Sequence, residues 1–154
     1  MEPAGDQHPC RHVETRGERA ALVLGAQVVT YRELEDRSNR VAQLLRSRGL
    51  RTGDHVAVLL PNRAEWFDIV WGAMRTGLYV TPVNWHLTAA EAGYIVVDCG
   101  ARALFTDAAF ADTLAAMGDD LAGVEVRLAI GGDVATFERY EDAVAEQPPE
   151  PVVD

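Results

Sequence analysis

Hydrophobic residues recur along the chain in two patterns, short continuous runs and stripes with helical spacing. These runs predict β-strands at 21–24, 27–29, 55–60, 79–83, 103–106 and 124–130, although polar residues interrupt some of them, as Glu125 and Arg127 do in the last. The stripes predict amphipathic helices between the strands, and the first comprises Tyr31, Leu34, Ser38, Val41, Ala42 and Leu45. A hairpin followed by alternating helices and strands predicts an α/β fold, with a mostly parallel sheet covered by helices on both faces.

Polar residues and glycines mark the predicted ends of these helices. Thr30 with Glu33, and Thr88 with Glu91, have the spacing of capping boxes, in which side chains and backbone N–H groups bond reciprocally. Gly49 is expected just after the first long helix, because the residue there usually needs a positive φ. The helix boundaries are therefore predicted from local sequence alone.

The later helices carry weaker signals. Asn62 and Asp107 follow predicted strands and are expected to cap the helices after them, and a last helix is predicted over 137–145. The helix after Asn62 should bury its apolar stripe, which comprises Trp66, Val70, Ala73 and Met74. Carboxylates without a capping role are expected on solvated helix faces, as for Asp36, Asp68 and Asp112.

The pattern divides the chain into three parts. Residues 1–18 lack periodicity and are predicted to be a flexible tail, and residues 19–146 are predicted to form the α/β domain. Residues 147–154 form a Pro-rich, acidic end that cannot continue a regular element. We interpret that end as a truncation point or the start of a connection to further protein.

Composition restricts the class of protein. The net charge of −10 and the pI of about 4.8 argue against nucleic-acid binding and against anionic membrane surfaces. No apolar run approaches the roughly 20 residues of a membrane span, and the N-terminus lacks the apolar core of a signal peptide. Two cysteines do not make a disulfide framework, so a reducing, cytoplasmic location is predicted.

One cluster near the N-terminus has metal-binding chemistry. His8, Cys10 and His12 place three soft ligands within five residues. No fourth ligand lies nearby in the sequence, and a flexible terminus would have to become ordered to bind an ion. We therefore predict no metal site.

The common catalytic motifs are absent. All 14 basic residues are Arg, so the chain supplies no phosphate-loop lysine, Schiff base or lysine general base. GxGxxG, GxxxxGK, GxSxG and HExxH do not occur. No nucleophile–base pair can be defended, and no catalytic residue is predicted.

The predicted topology nevertheless indicates where a ligand would bind. Ligands of open parallel sheets lie beyond the carboxyl ends of the strands, and Asn84, Trp85 and His86 follow one such end. His86 also lies close to a helix N-terminus, whose free N–H groups favour anions. The alternative is that Trp85 is a hydrophobic plug and His86 is an exposed loop residue without a ligand.

The stretch from residue 29 to residue 107 resembles the N-terminal region of adenylate-forming enzymes, in particular fatty and aryl acyl-CoA synthetases. The resemblance rests on three segments that occur in the family's order, TYRELEDRSNRVAQLLRSRGLRTGDHVAVLLPN, GAMRTGLYVTPVN and LTAAEAGYIVVDCGARALFTD. It extends from about residue 19 to residue 117. It implies that the fold is a partial N-terminal subdomain of the synthetase.

The resemblance also implies a reaction for the complete enzyme. Family members use ATP, usually with Mg²⁺, to convert a carboxylic acid to an acyl-adenylate, and then pass the acyl group to a thiol, commonly that of CoA. Their phosphate loop and catalytic lysine lie later in the chain and have no counterpart here. The chain is thus expected to be an N-terminal fragment of an acyl-CoA synthetase, inactive without the rest of the polypeptide and its fatty or aryl acid.

In the family's counterpart of Asn84–Leu87, an Arg that contacts the phosphates of CoA in some members is frequent where this chain has His86. The resemblance therefore makes His86 a candidate contact to a CoA phosphate. Two alternatives remain. The chain could be a stand-alone, non-catalytic α/β module, or a receiver-like signalling domain, for which only Asp54 and Asp107 approach the required acidic cluster.

Overall fold

A computed structural model describes residues 8–153. The helices are α1 (Val13–Arg16), α2 (Tyr31–Ser47), α3 (Glu65–Arg75), α4 (Ala89–Asp98), α5 (Ala111–Met117) and α6 (Tyr140–Ala145). The strands are β1 (Ala20–Leu24), β2 (Gln27–Thr30), β3 (His55–Leu59), β4 (Tyr79–Pro82), β5 (Ala101–Asp107), β6 (Val126–Ile130) and β7 (Glu138–Arg139). Short 3₁₀ turns lie at Pro9–His12, Ala108–Phe110 and Gly118–Leu121. None of the helices within the described residues combines the length and the apolar character that a membrane crossing requires.

The strands form two sheets. β1 and β2 pair as an antiparallel hairpin, and the other five pair in parallel in the order β4-β3-β5-β6-β7. This confirms the predicted α/β class and the parallel sheet. The chain passes from β4 on one side of β3 to β5 on its other side, so the winding direction reverses between β3 and β5.

Helices cover the parallel sheet on both faces, as continuous apolar strands require. Alternate strand residues enter two cores: Val58 and Phe105 pack with α2, α3 and α6, whereas Leu59 and Leu104 pack with α4 and α5. A third, smaller cluster joins Val29 of the hairpin to the start of α2. The hairpin therefore packs against the rest of the domain through one face only.

The structure confirms the two predicted capping boxes. The Thr30 hydroxyl accepts from the backbone N–H of Glu33, whose carboxylate accepts from the Thr30 N–H, and Thr88 and Glu91 repeat this exchange. Asp107 also caps, since its Oδ1 accepts from the N–H of Ala109 at 2.8 Å. Helix boundaries with a reciprocal side-chain cap were thus predictable.

Two expectations for the later helices are wrong, and a third is confirmed only in part. Asn62 does not cap α3, which begins at Glu65 with Ala64 as an N-cap that makes no side-chain bond. The predicted last helix begins only at Tyr140, because Glu138–Arg139 pair with β6 as a short strand.

The third expectation concerns the buried face of α3, where Ala73 is buried and Trp66 packs against the core as predicted. The buried residues of the helix are Asp68, Ile69, Gly72 and Ala73, while Met74 is exposed, because α3 packs against α2 as well as against the sheet. A Cβ on Gly72 would lie 2.7 Å from the Cβ of Val41 and 2.8 Å from the carbonyl oxygen of Ser38. Gly72 thus permits the close approach of the two helices, and this contact determines which side of α3 is buried.

The segments that flank the domain also make contacts. The His8 ring packs edge-on against Trp71, with 5.0 Å between ring centroids. At the other end, the carbonyl oxygen of Gln147 accepts from Arg40, and that of Glu150 accepts from Gln43 at 3.0 Å. Residues 1–7 of the predicted tail lie outside the described residues, and the domain boundaries stay predictions.

Candidate functional site

The carboxyl ends of β3 and β5 form the point where the sheet reverses its winding direction. In open α/β sheets this is the position at which a ligand crevice forms. Here an ion pair lies across it, because Arg63, in the loop after β3, donates to the carboxylate of Asp107 at the end of β5. Arg63 also donates from Nε to Glu65 at 2.9 Å.

Both carboxylates hold Arg63 firmly. The hydrogen bonds and charges of Glu65 and then Asp107 raise the pKa of Arg63. Burial, the largest single effect, would raise the pKa of Glu65, but Arg63, the backbone N–H of Glu65 and Arg37 together hold the pKa below the ordinary value. Because the guanidinium is committed to two acidic partners, this arrangement joins two strand ends and is not a prepared anion site.

The loop after β4 carries the residues that the sequence singled out. The Asn84 side chain accepts from the His86 N–H at 3.0 Å, which turns the chain toward α4. Trp85 stacks on Phe110, with 6.0 Å between centroids and an interplanar angle of 21°, and its ring also lies against that of His86. Trp85 is 43% exposed and His86 is exposed, so this loop presents an aromatic edge to solvent.

His86 lies two residues before Thr88, which is the N-cap of α4. The same helix start holds the carboxylate of Glu91, which accepts from both the N–H and the hydroxyl of Thr88. The bonds from Thr88 hold the pKa of Glu91 below its ordinary value. The dipole of α4 therefore favours an anion near His86, while the charge of Glu91 opposes one.

The hairpin also borders a cavity, which we call the hairpin groove. The groove has a volume of about 550 Å³ and is lined by residues 21–24 of β1 and by the segment from the end of β3 to the start of α3, including Leu60, Trp66 and Phe67. Val23, which lines the groove, and its register partner Val28 are 67% and 54% exposed. The hairpin is thus apolar on both faces, although only one is covered.

Asp68 is the titratable group that sequence reasoning misplaced. It was expected on a solvated face, but it is only 2% exposed, and its Oδ1 has no hydrogen-bond partner among the described residues. Burial raises its pKa to about 7, with Arg37 lowering and Glu65 raising it further. Its neighbour Tyr140 is also buried, and burial followed by the charge of Asp68 raises the pKa of Tyr140.

Only tertiary packing explains why Asp68 is buried. Asp68 lies one residue before Ile69 and four residues before Gly72 in α3. A small residue such as Gly72 inside a helix can mark a close contact with another helix, and this is the sequence signal that indicates the burial of Asp68. The HxCxH cluster is likewise split, because His12 packs against Tyr31 with 5.3 Å between centroids while His8 and Cys10 face α2. Cys10 and Cys99 are both free thiols.

Comparison with known proteins gives a consistent family. The sequence model described as AMP-binding enzyme matches residues 10–153. A fatty acid–[acyl-carrier-protein] ligase, ScoC, from Streptomyces coeruleorubidus is 32% identical over 126 residues, which are 82% of this chain and 24% of that protein. A 3-hydroxybenzoate–CoA ligase from Aromatoleum sp. (strain CIB) is 31% identical over 131 residues, which are 85% of this chain and 25% of that protein.

Solved structures give the same result. The anthranilate CoA ligase AuaEII, determined in complex with anthranoyl-AMP, superimposes with a TM-score of 0.88 at 26% sequence identity. The match covers 92% of this chain and 28% of that chain. The chain thus spans about a quarter of the length of the relatives that it matches.

Proposed function

The chain belongs to the AMP-binding enzyme family, and from this premise we propose that it acts as the N-terminal part of an ATP-dependent acyl- or aryl-CoA ligase. The complete enzyme would convert a carboxylic acid to an acyl-adenylate and then to a thioester. The chain alone would be inactive, because it contains neither a phosphate loop nor any lysine.

The observation that carries this proposal is the uncovered face of the hairpin. Val23 and Val28 form an exposed apolar pair, and Val23 lines an apolar groove. A two-stranded hairpin is marginally stable by itself, and an apolar outer face favours a further layer of protein. In a chain that spans a quarter of its relatives, the remaining ligase polypeptide would supply that layer.

Among the family's cofactors, the described residues offer a candidate contact to CoA but no site for ATP with Mg²⁺. ATP with Mg²⁺ needs positive groups at the phosphates, and at the sheet reversal the guanidinium of Arg63 is already paired with Asp107 and Glu65. The residues here therefore do not form an ATP site. CoA has one candidate contact, His86, whose exposed ring would lie near a phosphate of the cofactor.

The names of two relatives indicate the classes of acid and thiol. One relative is named for a fatty acid and an acyl-carrier protein, and another for 3-hydroxybenzoate and CoA. We propose a fatty or aryl carboxylic acid as substrate, CoA as the acceptor thiol, and a cytoplasmic location.

ATP–pyrophosphate exchange tests whether the chain acts alone. The purified 154-residue chain is incubated with ATP, Mg²⁺ and a panel of fatty and aryl acids, and the complete 3-hydroxybenzoate–CoA ligase serves as the positive control. We expect no exchange above background from the chain. Exchange with any acid would overturn the proposed inactivity.

Binding of an apolar fluorescent dye separates the proposal from the alternative of a stand-alone module. A fragment should bind the dye through the hairpin face while folded, and the double variant Val23→Thr/Val28→Thr should bind less. A folded monomer that binds no dye would favour the stand-alone module and contradict the fragment.

The role of His86 is tested in the complete enzyme. Loss of one contact to a phosphate should raise the KM for CoA about 3- to 10-fold, which corresponds to roughly 0.7–1.4 kcal/mol. We therefore expect His86→Ala to raise this KM, and His86→Arg to preserve it. An unchanged KM in His86→Ala would remove His86 from the CoA site.

A further inference from the structure

Three residues with metal-binding side chains meet where the N-terminal segment crosses α2. One ligand atom each from His8, Cys10 and Glu35 lies within 4.8 Å of the others, and all three side chains are partly buried. The sequence places Glu35 25 residues from Cys10, so this third group becomes available only through folding. His12, which the sequence pattern groups with them, packs against Tyr31 instead.

The His8 imidazole is not fully used by the protein. Its Nδ1 accepts a long bond from the Cys10 N–H at 3.3 Å, and Nε2 has no hydrogen-bond partner at bonding distance among the described residues. Neutral imidazole is the form that binds metals, and this ring has one nitrogen that the described residues do not use.

The carboxylate of Glu35 is fixed in position by hydrogen bonds from Arg75 and Asn39. Arg75 donates to both carboxylate oxygens, at 3.0 and 2.8 Å, and Asn39 donates at 3.2 Å. A carboxylate has about four lone-pair positions, so one remains for a further partner. Arg75 would then orient the ligand from the outer shell, as partners of metal ligands commonly do.

We propose that His8, Cys10 and Glu35 form a zinc site that fastens the N-terminal segment to α2. A thiolate, an imidazole and a carboxylate are the donors that Zn²⁺ takes in proteins, whereas Mg²⁺ and Ca²⁺ prefer oxygen donors alone. The thiolate and the carboxylate together balance the two charges of the ion, which reduces its repulsion with Arg75. Three protein ligands leave a fourth position for water. This site is independent of the ligase reaction proposed above.

Calorimetric titration of the apo chain with Zn²⁺, repeated with Co²⁺ as a spectroscopic probe, tests the site. We expect one equivalent to bind, with a cobalt–thiolate absorption band, and with a higher Tm in the presence of zinc. Cys10→Ser should abolish the band and weaken zinc binding at least about 10-fold. Glu35→Gln should weaken zinc binding too, with circular dichroism reporting whether the loss of its Arg75 bond disturbs folding.

Two variants serve as matched controls. Cys99→Ser removes the other free thiol, and His12→Ala removes the histidine that faces Tyr31. Both should bind zinc like the unmodified chain. The site would be refuted if the chain bound no zinc at micromolar concentration, or if Cys10→Ser bound zinc as tightly as the unmodified chain.

Discussion

The hairpin and the parallel sheet begin from the same sequence pattern and end in different surroundings. Residues 21–24 and 56–60 are both continuous apolar runs. In β3 both faces are covered, since Val58 packs under α2 and α3 while Leu59 packs under α4 and α5. In the hairpin Val29 is buried but its neighbour Val28 is exposed. Both faces of the apolar run are thus covered in β3, whereas only one face is covered in the hairpin. This difference indicates that the hairpin lacks a layer of protein over its outer face.

The largest expected effect lies in the sheet. Phe105 is fully buried in β5 and meets Tyr140 edge-on, with 6.1 Å between ring centroids. Phe105→Ala should lower the free energy of unfolding by about 3–5 kcal/mol, measured by urea denaturation. Val23→Ala in the exposed hairpin face is the matched comparison and should cost less than about 0.5 kcal/mol. Equal losses would show that the two regions are not different.

The burial of Asp68 in the core predicts how the free energy of unfolding depends on pH. Its folded-state pKa of about 7 lies above its ordinary value of 3.8, so the folded protein binds the extra proton between these values. Its contribution therefore lowers the free energy of unfolding as pH rises from about 4 to about 7, by about 1.4 kcal/mol per pH unit, and then levels off.

The variant Asp68→Asn isolates this contribution from that of other carboxylates. It should be more stable than the unmodified chain at pH 8, and the advantage should shrink steadily toward pH 4. Urea denaturation of both proteins across this range gives the difference. A difference that does not change with pH would mean that Asp68 has an ordinary pKa and is better solvated than its burial indicates.

Gly72 tests the close contact between α2 and α3. A methyl group there meets Val41 and the backbone of Ser38 at under 3 Å, so Gly72→Ala should cost about 1–3 kcal/mol. Gly123→Ala is the control, because Gly123 has no neighbour within 4 Å of an added Cβ and no positive φ. Thermal denaturation of the two variants compares them. A neutral Gly72→Ala would contradict the assigned helix contact.

The smallest effect is expected on the hairpin surface. Val23→Thr with Val28→Thr should change the free energy of unfolding by less than about 0.5 kcal/mol, because both side chains already face water. The variant should nevertheless bind less of an apolar fluorescent dye, measured by the emission of the dye. A large loss of stability would show that this face already has a structural role within the chain.

Local signals predicted much of the fold, and long-range contacts explain what was missed. Thr30 and Glu33 interact within one turn, so their capping box follows from four residues. The face of α3 depends instead on Gly72 meeting α2, and this packing also buries Asp68. The position of His86 on the rim followed from the topology, whereas its contact to CoA stays a prediction. The ion pair between Arg63 and Asp107 was not predicted, because the two residues are 44 positions apart in the sequence. Only the order of the strands in the sheet brings them together.

The coding sequence that follows residue 154 in the source genome tests the central claim most directly, namely that the chain is the N-terminal part of a larger ligase. We predict an open reading frame that continues in phase and encodes a Ser/Thr/Gly-rich loop containing a lysine. That polypeptide would supply the layer over Val23 and Val28. A stop codon directly after residue 154, with no such loop encoded downstream, would contradict the account and leave the stand-alone module as the better description.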